Sequence, residues 1–113
     1  MPSDALPDTA VGEPDLVVVT MAFDATNAER LAAVLARYVV LARGASGCRN
    51  IDLCASALHP GRFVVVEKWE SRGAQRAHMD ADVTVEMARA CEGLLAAPPQ
   101  LDLLDAISAH DLA

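Results

Sequence analysis

At 113 residues and 11.9 kDa the chain is one domain's worth of polypeptide, too short for two. Hydrophobic residues at 53% and charged residues at 22% exclude wholesale disorder, and the longest apolar runs fall far short of the roughly 20 residues that span a bilayer. A net charge of −7 argues against duplex DNA or RNA as a partner. Much of that charge sits at the two ends, with Asp4, Asp8, Glu13 and Asp15 ahead of the first strand and Glu92, Asp102, Asp105 and Asp111 behind the last basic residue, Arg89.

Residues 1 to about 14 are acidic and proline-containing, with neither a basic nor an apolar leader segment. They are expected to be a poorly ordered tail on a cytoplasmic protein, followed by a domain over 15–110. Leu16 to Phe23 is β-branched and continuously apolar, which predicts a strand covered on both faces. Thr26-Asn27-Ala28-Glu29 has the spacing of a capping box. Leu31, Val34, Leu35, Tyr38, Val39 and Ala42 then recur at helical steps, with Gly44 placed to cap the helix C-terminus.

From Cys48 to Leu58 the pattern alternates, with Ile51, Leu53, Ala55 and Ala57 on one side and Asn50, Asp52, Cys54 and Ser56 on the other. The latter set suits a solvated or dimer-interface face better than a pocket wall. The Pro60-Gly61 step turns the chain into a strand over Phe63–Glu70, predicting an antiparallel hairpin. Ser71 can cap a helix that runs through His78, breaks near Asp80-Ala81-Asp82 and resumes with Val83, Met87, Ala90, Cys91 and Leu94. Pro98-Pro99 stops it, and Leu101 to Ser108 reads as a last strand. The order is that of a ferredoxin-like βαββαβ sandwich of class α+β, a four-stranded antiparallel sheet with its helices on one face. Those helices can cover one face only, yet the first and third strands are apolar on both. A second copy packed sheet to sheet, a homodimer, is therefore expected.

Three cysteines without CxxC spacing fit a reducing compartment better than a disulfide framework or a zinc site. Along Phe63 to His78, two-residue periodicity puts Phe63, Val65, Glu67 and Trp69 on one face, and His78 lies two turns into the covering helix. Trp69 and His78 can thus look into one crevice suited to a flat apolar ligand, with the indole as wall and the imidazole as a group titrating near neutrality. Each also has a plainer reading. A lone Trp is often the largest core anchor, and a lone His is commonly a surface or satisfied core residue. Glu67 could orient His78 or form an inward salt link with an arginine.

The stretch FVVVEKWESRGAQRAH resembles the core signature of the antibiotic biosynthesis monooxygenase family, in which a strand ends in Glu-x-Trp and a helix with an early Ala leads to His. Gly47-Cys48 entering the second strand, and the strand and helix over 16–42, resemble it too. The resemblance implies a dimeric α/β barrel with a pocket between helices and sheet. It also implies oxidation of quinols, anthrones or polyphenols by O₂ without metal, flavin or haem. On that basis His78 is the candidate base, and Trp69, Glu67, Val65 and Phe63 are candidate substrate-binding residues. The first strand, LVVVTMAF, lacks the asparagine used by the family's haem-degrading branch, which argues against that subtype; were haem bound, His78 would be its axial ligand. A non-catalytic dimeric barrel that binds a small hydrophobic molecule is the alternative from another class.

Overall fold

A computed structural model describes residues 16–108, so the expected acidic tail over 1–14 lies outside the described residues. The elements run β1 (Val17–Asp24), α1 (Ala28–Ala42), β2 (Cys48–Ala55), β3 (Arg62–Trp69), α2 (Arg72–Met79), α3 (Asp82–Ala90) and β4 (Gln100–Asp105). The strands form one antiparallel sheet in the order β2-β3-β1-β4, an α+β ferredoxin-like fold. Among the described residues, no helix is long and apolar enough to cross a membrane.

Period-two alternation divides the sheet. Val17, Val19, Met21 and Phe23 on β1, Ile51 on β2, and Val65, Glu67 and Trp69 on β3 are buried on the helix side. Helix α1 meets them with Leu31, Leu35, Tyr38, Val39 and Ala42, a stripe set by its 3.6-residue period. The break at Asp80-Ala81 falls where expected and divides the second helical segment into α2 and α3, with Ser71 Oγ accepting from Ala74 N at the start of α2.

Two caps differ from expectation. The N-cap of α1 is Asn27, whose Oδ1 accepts from Arg30 N at 3.1 Å. Thr26 instead donates its hydroxyl to Gly93 O at 3.2 Å, tying the start of α1 to the loop after α3. At the other end the C-cap is Arg43, in right-handed conformation. Its guanidinium reaches Ile51 O at 3.0 and 3.1 Å, so the terminus is held by a side chain docked on β2 and needs no left-handed glycine at Gly44. The glycine that does need left-handed backbone here is Gly47, at φ +82°. Its carbonyl accepts from Glu70 N, and a Cβ there would lie 2.5 Å from Ala74 Cβ. This close approach sets the position of α2, and so of His78.

Candidate functional site

Glu67 and Trp69, two residues apart on β3, share the helix-facing side of the strand, and the indole Nε1 donates to Glu67 Oε1 at 2.9 Å. Tyr38, from the buried stripe of α1, donates its hydroxyl to Glu67 Oε2 at 2.6 Å. The same phenol oxygen lies 2.7 Å from His78 Nε2 on α2. Thr84, near the start of α3, donates to the His78 carbonyl at 2.7 Å and places its Oγ1 3.2 Å from His78 Nε2. The Trp69 and His78 rings are 4.5 Å apart between centroids and tilted by 34°; Tyr38 is 5.8 Å from His78. Four elements therefore deliver one buried polar cluster: Trp69 is fully enclosed and His78 is 5% exposed.

Two of the sequence-predicted residues, Trp69 and His78, face each other, and Glu67 joins them through Tyr38. Glu67 takes its hydrogen bonds from Tyr38 and Trp69, rather than forming the inward arginine link that was the other expectation. Val65 and Phe63 lie farther along the same strand face, opposite Met21 and Phe23 of β1. Tyr38 and Thr84 were not singled out from sequence. Tyr38 is the chain's one tyrosine and sits on an apolar stripe; a buried phenol there requires a polar partner, which is the signal that could have found it. Thr84 carried no comparable signal, because its role depends on how α3 folds back on α2. Asn50, Asp52 and Cys54 are exposed, with Asn50 donating to Asp52 at 2.9 Å, so they do not line the cluster.

Burial pushes the Tyr38 hydroxyl far above its usual range, reinforced by the charge and hydrogen bond of Glu67 and opposed by Thr84. His78 is pushed below the ordinary histidine value by burial, against the pull of Glu67. At neutral pH the pair is thus a phenol and a neutral imidazole. One imidazole atom stands out: Nδ1 is buried and has no hydrogen-bond partner among the described residues.

Neighbouring space is apolar. A cavity of about 340 Å³ lies between α3 and the β1–β4 side of the sheet, walled by Met21, Phe23, Met87, Cys91, Leu95 and Leu101. Met87, on the wall of this cavity, is one helical turn beyond Thr84 along α3. A crevice of about 80 Å³ between α1 and α3 touches Tyr38 from the other side. Trp69 and His78 line neither space; the two rings are shut in by their neighbours. Among the described residues, no three His, Cys, Asp or Glu side chains converge as a metal site would require.

Residues 16–90 match the family model described as antibiotic biosynthesis monooxygenase. Solved structures share the fold over most of the chain. Rv0793 from Mycobacterium tuberculosis is 27% identical with a TM-score of 0.77, covering 83% of this chain and 97% of its own. PA3566 from Pseudomonas aeruginosa is 23% identical with a TM-score of 0.75, covering 83% and 96%. A Caulobacter crescentus protein, provisionally named an antibiotic biosynthesis monooxygenase, is 19% identical with a TM-score of 0.77, covering 90% and 99%. No curated protein matches the chain.

Proposed function

The chain belongs to the antibiotic biosynthesis monooxygenase family, and from that premise we propose that it oxidises a small aromatic hydroxy compound (a quinol, anthrone or polyphenol) with O₂ and no cofactor, with His78 as the base. The observation that carries this reading is the unpartnered Nδ1 of His78, a neutral base held in an apolar setting against the Trp69 ring. The ring of the substrate would occupy the cavity under α3, with Met21 and Phe23 as its floor and Val65 and Phe63 behind them, and its hydroxyl would reach His78 and the Trp69 ring once the side chains that shut them in shift aside. Glu67 would act through Tyr38 to hold His78 in place.

The chemistry balances without further reagents. His78 removes the hydroxyl proton, and the electron-rich anion passes one electron to O₂. The organic radical and superoxide then join at a ring carbon that bears hydrogen, and the resulting peroxide takes up a proton. Loss of water from the hydroperoxide leaves a carbonyl, so one oxygen atom enters the product and the other leaves as water. Apolar walls help by keeping bulk water from the anion and the peroxide.

Oxygen uptake with a panel of quinols and anthrones tests the proposal. Wild type should consume O₂ well above buffer with at least one of them, and His78→Ala should lose at least 100-fold of that rate. No uptake above buffer, or an unaffected variant, removes the assignment. Enclosure of Trp69 and His78 favours a second reading, a small-molecule-binding protein without catalysis, in which ligand binds and no O₂ is consumed. Haem is a poor fit, because Nε2 of His78 is engaged by Tyr38 and Thr84. A haem titration should leave the Soret band unshifted. We further propose that the working form is a homodimer joined through the open face of the sheet.

A further inference from the structure

We propose that Tyr38 and Thr84 lock His78 as its Nε2–H tautomer, leaving a bare lone pair at Nδ1, so that the site takes a hydroxyl donor and discriminates against a carbonyl or an ether. This deepens the proposed function and rests on its placement of His78 against the ligand.

The assignment follows from the number of protons each oxygen can supply. Glu67 Oε1 faces the indole Nε1–H, which can only donate, and Oε2 receives the Tyr38 hydroxyl. A phenol has a single proton. With that proton directed at Glu67, the 2.7 Å contact between Tyr38 Oη and His78 Nε2 requires the hydrogen to be on the nitrogen. Thr84 leads to the same result independently. Its hydroxyl proton is committed to the His78 carbonyl at 2.7 Å, so toward Nε2, at 3.2 Å, its oxygen can only accept. Two oxygens from two helices thus converge on one N–H. The opposite tautomer would aim the Nε2 lone pair at the Thr84 lone pairs and bury an unsatisfied N–H at Nδ1, where none of the described residues accepts it.

A bare Nδ1 is complementary to a phenolic or enolic O–H. It is repelled by the oxygen of a quinone or a methyl ether. In an oxidation of a hydroxyarene to a quinone, that polarity holds the substrate and releases the product. Tyr38 and Thr84 are positioning residues on this account, and Glu67 fixes which way Tyr38 points.

Two measurements on the full chain test the proposal. Imidazole ¹⁵N NMR of the neutral protein should show His78 in one tautomer, with the proton on Nε2 and a pyridine-like Nδ1. Thr84→Ser should preserve that spectrum, whereas Tyr38→Phe combined with Thr84→Val should show both tautomers. A His78 signal from the Nδ1–H form in wild type overturns the assignment, even if the double variant does not fold. Binding followed by Trp69 fluorescence should favour 1-naphthol over 1-methoxynaphthalene and 1,4-naphthoquinone by at least 10-fold, a preference lost in His78→Phe. Equal affinity, or no binding of any of the three, overturns the ligand selectivity. Absence of O₂ uptake alongside a positive result in both arms rejects the monooxygenase reading and leaves this inference standing.

Discussion

A carboxylate in an apolar core is tolerated when both of its oxygens are hydrogen-bonded, and Glu67 meets that condition through Trp69 Nε1 and Tyr38 Oη. Removing the phenol hydroxyl strands the buried Glu67 Oε2 and leaves His78 Nε2 with Thr84 Oγ1, at 3.2 Å, in place of two oxygens. Tyr38→Phe should therefore lower stability by about 2–3 kcal/mol in urea unfolding, although no apolar contact is lost. Protonation of His78 is a second lever. Its value in the folded protein is depressed by burial, so below the unfolded value of about 6.5 the unfolded chain takes the proton first. Stability from this group is complete above that value and declines as pH falls through the folded value. Trp69 is the chain's single tryptophan and lies 4.5 Å from His78, so its emission should be quenched by the imidazolium with a midpoint below 6.5. Absence of that transition in His78→Phe checks the origin of the signal. The meeting of Trp69 and His78 was legible from strand period and helix placement. Their partners were not, because Tyr38 and Thr84 obey helix patterning and their polar contacts depend on how three helices cross.

Elements placed by hydrophobic period and turn chemistry were readable from the chain, including the Pro-Gly hairpin, the break at Asp80-Ala81 and the Ser71 cap. Helix ends were less so, since the end of α1 is decided by a long-range contact from Arg43 to Ile51 O. The most demanding junction is where β2 begins beside α2. At Gly47→Ala the new Cβ would meet Ala74 Cβ at 2.5 Å on left-handed backbone. The combined strain should cost about 3 kcal/mol, read as a lowered urea midpoint at unchanged slope. Adding Ala74→Gly relieves the steric part and leaves the backbone part. The double variant should fall between Gly47→Ala and wild type, and a double variant no more stable than the single would refute the close-packing explanation.

Across the whole molecule the sheet has one face filled and one face open. On the open side, register brings Val18 beside Leu104, Thr20 beside Val66 and Ala22 beside Val64, with Asn50, Asp52, the Arg62–Asp24 ion pair and Asp102 around them. An apolar centre inside a polar border has the anatomy of an interface. β4 adds Leu104, 42% exposed beside Val18, to that face, while Leu101 and Leu103 lie beside Met21 and Val19 on the helix side of this edge strand. A second copy meeting this face sheet to sheet would cover the valines, and its two-fold symmetry requires no additional partner. Sedimentation of the wild type should give about twice 11.9 kDa at micromolar concentration. Val66→Glu places a charge at the centre of the face and should yield a folded monomer by sedimentation and circular dichroism. Val40→Glu, on the solvent side of α1 at 65% exposure, should remain a dimer. A monomeric wild type, or a dimer that survives Val66→Glu, would mean that this face is not where two chains meet.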